Sequence, residues 1–281
     1  MKFTKYADLK LFEADTFEIL LENEVQNNLP ISFIKNEKKH DTSEWLLFTI
    51  KSDFGEVLLT AACTPPYNIV MYETRNKQND KAVKLLSGEL KNMKIVLPGV
   101  LAEQGLARRF AENYSEKYQR KMSMNVMRLD SLNTMSRAPG FCRELKEDDL
   151  FYMSFWRKAF AEECKIIADS SVENTRSRIG KNVQYIWINE HPVSCATNTR
   201  NTENGAGISE VYTPPNYRGK GYASSVVAEL SASLLERGNK FCFLFADAEN
   251  PVSCGIYRKI GFYDLCVFDE IKFGEKIDDG T

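Results

Sequence analysis

Two apolar rhythms alternate along the chain. In "LKLFEADTFEILLENEVQNNL" apolar residues recur at helical spacing and stop before Pro30, which predicts a helix. "EWLLFTIK" and "EVLLTAAC" read as strands around the turn "SDFG", and "YNIVMYE" as a third short strand. "QNDKAVKLLSGELKN" predicts a helix, "MKIVLPG" a strand, "LAEQGLARRFAENYSEKY" a helix and "SMNVMRLD" a strand. Polar "SLNTMSRAPGF", with Pro139 and Gly140, predicts a linker near residues 131–140.

The second half repeats the order. "EDDLFYMSFWRKAFAEE" and "SSVENTRSRIGK" read as helices, and "VQYIWINEHPVSCATNTR" as a hairpin turning at "NEHP". The strand "GISEVYT", the helix "YASSVVAELSASLLERG", the strand "KFCFLFAD", the helix "PVSCGIYRKIG" and the strand "YDLCVFDEIKF" follow. "KFCFLFAD" is apolar on both parities, which predicts a central strand buried on both faces. "TPP" stands at 64–66 and again at 213–215, the same relative point of each half. Matching order plus matching tripeptide predicts a duplicated domain, with copies at 1–135 and 136–281.

Between the second "TPP" and its helix lies "YRGKGYA". Ala223, Val226, Val227, Leu230 and Leu234 form one apolar stripe, and the helix stops at Gly238 after Arg237. The first amides of a helix lack internal partners and carry partial positive charge. Glycine lets a ligand approach the backbone closely. The stretch is therefore either a phosphate cradle or a plain glycine-rich helix start with surface cations. It fits neither the P-loop pattern nor GxGxxG.

Composition narrows the function classes. A net charge of −2 and 27% charged residues argue against a nucleic-acid binder and against disorder. Seven scattered cysteines without a CxxC pair disfavour zinc and a disulfide framework, and suit reduced thiols in a cytoplasmic protein. The N-terminus reads as no signal peptide, and no run is long enough for a membrane span. His40, in the loop-like "KNEKKHD", and His191, in a hairpin turn, have no metal-ligand spacing.

Arg218-x-x-Gly221-x-Ala223 resembles the Q/R-x-x-G-x-G/A signature of the GNAT N-acetyltransferases. "EVYTPP" resembles the family's fourth strand. "FCFLFADAENPVSCGIYRKIGF" resembles its fifth strand and fourth helix, with the N-x-x-S-x-x-x-Y-x-K-x-G-F pattern. The resemblance covers residues 140–273 and implies a mixed α/β sheet fold that binds acetyl-coenzyme A. It implies that backbone amides of Arg218, Gly219, Lys220, Gly221, Tyr222 and Ala223 hold the pyrophosphate. The edge at Val211, Tyr212 and Thr213 would pair with the pantetheine arm, in a gap between the strands at 207–213 and 241–246. Asn250 and Ser253 become coenzyme contacts, and Tyr257 the acid. The first half resembles a second, degenerate copy. After its "TPP" it reads "YNIVMYETRNKQ", without the signature, which argues for a structural or substrate-shaping role.

Moving an acetyl group to an amine poses two proton problems. An amine of pKa about 10.4 is almost wholly protonated near neutrality, a cost of roughly 4 kcal/mol that a base helps to offset. The leaving thiolate, of thiol pKa about 8.5, needs only modest help, and a tyrosine of pKa about 10 donates to it slightly uphill. Asn250 is a good N-cap and Pro251 suits the first helical position. Val252, Ile256 and Ile260 would then face the core, with Ser253 and Tyr257 on the neighbouring face. Tyr257 is either the acid or a boundary tyrosine. Glu210, sharing a face with Ile208, is either the base or a strand-end glutamate paired to Lys or Arg. Glu162 and Glu163 are weaker rivals on an amphipathic helix. Cys254 lacks a local histidine for a nucleophilic role, so direct transfer is expected, and "TRSR" is either a binder of an anionic acceptor or, the preferred reading, a surface helix.

The expected function is acetyl transfer to a primary amine of a small molecule or peptide, without a metal, nucleic acid or membrane. A non-catalytic acyl-coenzyme A sensor or scaffold, or another acyl donor, is the alternative. Sequence leaves the acceptor, the acyl length and the oligomeric state open.

Overall fold

The computed structural model of the protein describes residues 1–36, 41–74, 79–166 and 168–274. His40 and most of "KNEKKHD" lie outside them. The chain forms two compact units. The first comprises Met1–Val126, Asp247–Glu249 and the chain from Leu265 onward; the second comprises Met127–Ala246 and Asn250–Asp264.

The first unit carries β1 (Lys2–Tyr6), β2 (Leu46–Lys51), β3 (Val57–Cys63), β4 (Ile69–Glu73), β5 (Gly99–Glu103) and most of β6 (Tyr118–Leu129). Its helices are α1 (Leu9–Leu21), α2 (Asn28–Lys35), α3 (Asp80–Asn92) and α4 (Gln104–Tyr114). β1 to β4 pair antiparallel in sequence order, and β4 runs parallel to β5. The core joins Phe48, Ile50 and Leu59 of the strands to Leu86 and Leu90 of α3 and Phe110 of α4.

The second unit carries β7 (Phe141–Glu144), β8 (Gln184–Asn189), β9 (His191–Asn201), β10 (Gly205–Tyr212) and β11 (Phe241–Asp247). Its helices are α5 (Leu150–Glu163), α6 (Val172–Arg178), α7 (Tyr222–Glu236) and α8 (Pro251–Ile260). β7 to β10 pair antiparallel, and β10 runs parallel to β11. α7 and α8 pack on the face that holds Ala196, Ile208, Cys242 and Leu244. α5 covers the opposite face through Met153 and Trp156 against Ile186, Cys195 and Tyr212. The alternation of β11 explains its apolar run: Cys242, Leu244 and Ala246 join the α7 core, while Phe241 and Phe243 are buried on the other side.

The final strand, β12 (Tyr263–Phe273), lies antiparallel to β5, with Phe268 opposite Glu103 and Lys272 opposite Gly99. A boundary drawn through the polar stretch near residue 135 leaves this strand with the second copy. Backbone pairing instead groups most of it with the first unit, a long-range choice that no local composition signals.

Several elements differ from the sequence reading. The first apolar stretch is two helices, and Pro30 sits inside the first turn of α2, where a missing N–H costs nothing. The break between them is held by Asn27 Nδ2 donating to Leu20 O and Asn28 Nδ2 to Val25 O. "MKIVLPG" is a loop with Val96 91% exposed, and the strand begins only after Pro98. The short strands β1 and β7 carry no strong pattern and are additions. In α8, Val252 is 71% exposed, and the core takes Cys254 and Ile260 with Ile256 and Tyr257 half-buried beside them. Tyr257 therefore stands on the core-facing side of α8, not beside it.

Glycines let β10 and β11 lie close. A Cβ at Gly205 would overlap the Phe241 ring, and one at Gly207 would sit 2.8 Å from the Phe243 ring. Gly205→Ala is expected to cost about 2 kcal/mol through overpacking and to lower Tm by several degrees in thermal denaturation.

Candidate active site

β10 and β11 pair only from Gly205 opposite Phe241 to Gly207 opposite Phe243. Beyond that point no pairing between them is made, although β10 continues to Tyr212 and β11 to Asp247. A cleft between two parallel strands therefore opens at their C-terminal ends, the general location of ligand sites in such sheets. β10 also carries a bulge. Its register with β9 shifts between Ser209 and Tyr212, and Glu210 has φ +51°.

The segment after β10 turns through a short 3₁₀ turn, Pro215–Tyr217, into α7. Gly219 and Gly221 have φ +77° and +82°, which only glycine adopts cheaply. Gly221 is the N-cap of α7 and supplies no capping side chain. Ser225 Oγ donates to Gly221 O and accepts from Ala138 N, at 2.9 and 2.8 Å, and pins the turn. The amides of Gly219, Lys220, Gly221, Tyr222, Ala223 and Ser224 have no hydrogen-bond partner among the described residues. Consecutive free amides at the positive end of a 15-residue helix are an anion nest. A Cβ on Gly221 would find only Ala138 Cβ, at 3.8 Å, so the approach is open.

The neighbouring side chains brace this turn. Arg218 Nε donates to Thr213 O at 2.9 Å, and its Nη2 donates to both Glu163 oxygens at 2.7 and 2.9 Å. Glu163, a rival base in the sequence, is thus an ion-pair partner that ties the end of α5 to the turn. Glu162 is exposed and lies 3.9 Å from Lys158, one helical turn away. Tyr222 is buried and its hydroxyl accepts from Asn189 Nδ2 at 2.7 Å. Thr213 Oγ1 lies 2.8 Å from Ser194 Oγ, which donates to Tyr212 O. Val211 is half-buried against the α7 core, and Lys220 is exposed with its Nζ 5.9 Å from the Tyr217 ring centre.

α8 begins beside the cleft. Asn250 Oδ1 accepts from Ser253 N at 3.1 Å, the N-cap that the sequence predicts. The Tyr257 ring packs edge-on against Phe262, and its hydroxyl has no hydrogen-bond partner among the described residues. Burial pushes the phenol well above its usual range, and the neighbouring thiols of Cys164 and Cys254 add to that. The Tyr257 hydroxyl is therefore neutral and unengaged throughout the physiological range.

Glu210 does not share a face with Ile208. The bulge turns it away from the α7 core and onto the α5 side. There its Oε1 accepts from Arg178 Nη1 at 2.8 Å and lies 3.4 Å from Arg157 Nε. Arg157 is buried and is anchored by Nη1 bonds of 3.0 Å to Asn174 Oδ1 and Thr175 Oγ1. Desolvation draws its guanidinium below the usual arginine range. "TRSR", read from sequence as a surface helix, thus supplies Arg178 and Thr175 to a buried triad. The signal for this was weak: two arginines at a spacing that also suits solvent. Glu210 Oε2 has no partner.

The first unit holds a counterpart. β4 and β5 pair only at Ile69 opposite Val100 and Val70 opposite Leu101, and then part. A cavity of about 230 Å³ remains there, lined by Met71, Tyr72, Glu73, Leu106, Arg109 and Phe268. At the start of α3, Glu73 is engaged by backbone and side chain. Glu73 Oε1 accepts from Asn79 N at 2.5 Å, Asn79 Oδ1 accepts from Ala82 N at 3.1 Å, and Arg109 pairs with the Glu73 carboxylate.

Among the described residues no group of three or more His, Cys, Asp or Glu is placed to hold a metal ion, and no helix is long and apolar enough to cross a membrane.

Residues 189–269 match the family model of FR47-like proteins. No curated protein sequence matches the chain. Among solved structures, the fold is similar to a GCN5-related N-acetyltransferase from Sphaerobacter thermophilus, at 16% identity and TM-score 0.65, covering 96% of this chain and 95% of that one. It is similar to a GNAT-family acetyltransferase from Colwellia psychrerythraea, at 10% identity and TM-score 0.63, covering 98% and 100%. A tandem GNAT protein from the clavulanic acid biosynthesis pathway matches at 11% identity and TM-score 0.58, over 98% and 99%.

Proposed function

From a chain built on the tandem GNAT fold, we infer an acyltransferase whose second unit moves the acetyl group of acetyl-coenzyme A to a primary amine. The overall reaction is acetyl-coenzyme A plus R–NH₃⁺ giving R–NH–CO–CH₃, free coenzyme A thiol and a proton. The observation that carries this reading is the run of free amides from Gly219 to Ser224 beside a parting of parallel strands. That nest suits a pyrophosphate, and the cleft beside it suits a slender pantetheine arm. Val211, Tyr212 and Thr213 would line the arm, with Arg218 as the brace that keeps the turn open. Asn250 and Ser253 start α8 next to the same cleft. When bound, acetyl-coenzyme A supplies the activated thioester carbonyl.

The protein's own groups do the rest. Tyr257 offers its O–H to the departing sulfur. Glu210 Oε2 orients the amine by accepting one of its N–H groups. Because Glu210 is committed to Arg157 and Arg178, we assign it to positioning. The reactive amine is then the neutral fraction present in solution. At saturating donor, kcat/KM for the acceptor is expected to rise about tenfold per pH unit from 6 to 8. A plateau in that range would instead mark an internal base. Tyr257 stays protonated over this range because its pKa is raised, so no loss of activity is expected toward pH 9.

Calorimetric titration with acetyl-coenzyme A tests the reading. One-to-one binding followed by amine-dependent thiol release supports it. Binding without release under any amine leaves a non-catalytic sensor. Tyr257→Phe is expected to lower kcat by about 10- to 100-fold with coenzyme affinity intact. An unchanged kcat removes Tyr257 from the mechanism. The first unit, which lacks the signature, is assigned a structural or substrate-shaping role. A stoichiometry of two in the titration would refute that.

A further inference from the structure

Several of the unpartnered polar atoms of the second unit lie along one sheet face. Gln184 stands opposite Thr197 across β8 and β9, and Thr197 stands opposite Ser209 across β9 and β10. Directly opposed residues share a face, so these three form a row. It is the α5 face, because the alternate residues Ala196 and Ile208 point into the α7 core. Glu210 follows Ser209 and is turned by the bulge onto the same side, against Arg157 and Arg178.

Gln184 is 3% exposed, yet neither its Oε1 nor its Nε2 has a hydrogen-bond partner. Thr197 is fully buried and its Oγ1 is equally unpartnered. Glu210 Oε2 is unpartnered too, while Arg157 Nε faces Glu210 Oε1 at 3.4 Å. Buried polar groups are almost always satisfied, so several orphans on one face call for a missing partner. The atoms name its chemistry. Gln184 Nε2 is a donor that wants an acceptor. Glu210 Oε2 and Gln184 Oε1 are acceptors that want a donor. The buried charges here are two guanidiniums against one carboxylate. Asp169, the further anion that acts on Arg157, lies on the exposed side. A neutral alkylamine would satisfy Glu210 but leave the positive excess unanswered. An amine flanked by a carboxylate satisfies both.

We propose that this row is the acceptor subsite and that the acceptor is an α-amino acid, its amine taken by Glu210 and its carboxylate by Gln184 and Thr197. This rests on the transferase reading above.

The full chain is first titrated with coenzyme A alone, which tests the cradle independently of any acceptor. Thiol release from acetyl-coenzyme A is then compared for pairs that differ only by the carboxylate: glycine and methylamine, L-ornithine and putrescine, L-lysine and cadaverine, L-phenylalanine and phenethylamine. In at least one pair the amino acid is expected to exceed its decarboxylated partner by tenfold or more in kcat/KM. Gln184→Leu and the near-isosteric Thr197→Val are expected to raise the acceptor KM at least tenfold, leave the acetyl-coenzyme A KM unchanged and raise Tm, since each removes an orphan group. Three results overturn the proposal: in every pair, a decarboxylated amine turned over as fast as its amino acid; coenzyme A binding with no amino acid releasing thiol; or variants with a raised Tm and an unchanged acceptor KM, which would mean the row holds only water. Failure of coenzyme A itself to bind withdraws the underlying reading as well, and is seen in the first titration.

Discussion

Gly221→Asp is expected to reduce coenzyme A affinity by a factor of at least 100 while leaving the fold intact. The new side chain has room, since only Ala138 Cβ comes within 4 Å of the added Cβ. It bears a strain of about 1 kcal/mol for an L-residue at φ +82°. An aspartate at the N-cap accepts from the first helical amides and recovers about the same amount. The carboxylate then occupies the place of the anion. A charge pair about 4 Å apart repels by roughly 4 kcal/mol at an effective dielectric of 20, near a thousandfold in affinity. Gly221→Asn separates charge from occupancy. It tolerates positive φ and caps the helix without a charge, so a loss of tenfold or less is expected. Calorimetry gives both affinities and thermal denaturation gives both stabilities. Unchanged affinity in Gly221→Asp would remove the cradle.

Glu210→Gln is expected to destabilise the protein by about 3–5 kcal/mol, because it leaves two guanidiniums in a buried setting without their anion. The side chains of Arg157, Arg178 and Glu210 are only 7%, 18% and 15% exposed, so solvent cannot replace the lost partner. Thermal denaturation should show a fall in Tm of ten degrees or more. Glu210→Gln combined with Arg178→Met should recover part of that loss, since one of the orphaned charges goes with it. At a temperature where the variant is folded, the acceptor KM should rise while coenzyme A affinity stays. A Tm within two degrees of the parent would show that the triad is not structural. An unchanged acceptor KM would show that Glu210 does not touch the amine.

The contrast between Gly221 and Glu210 shows how legibility divides. Gly219 and Gly221, the stripe from Val226 to Leu234, and the Asn250–Pro251 start of α8 were readable because each signal lies within a few residues. Positive φ, capping and helical periodicity are local properties, and the free amides follow from them. Tyr257 was readable as a residue but not as a surface. The face of α8 that turns inward was set by Cys254 and Ile260, not by exposed Val252.

The chain's pattern was thus sufficient for the alternation of elements, for the duplication and for the helix start that can cradle an anion. Tertiary packing alone turned Glu210 from the Ile208 face toward Arg178, 32 residues away in sequence, and put β12 against β5. It also aligned Gln184, Thr197 and Ser209 across three strands. Strand register, a bulge and buried ion pairing join distant segments, and their energies depend on which partner is present. No window of local sequence contains that information.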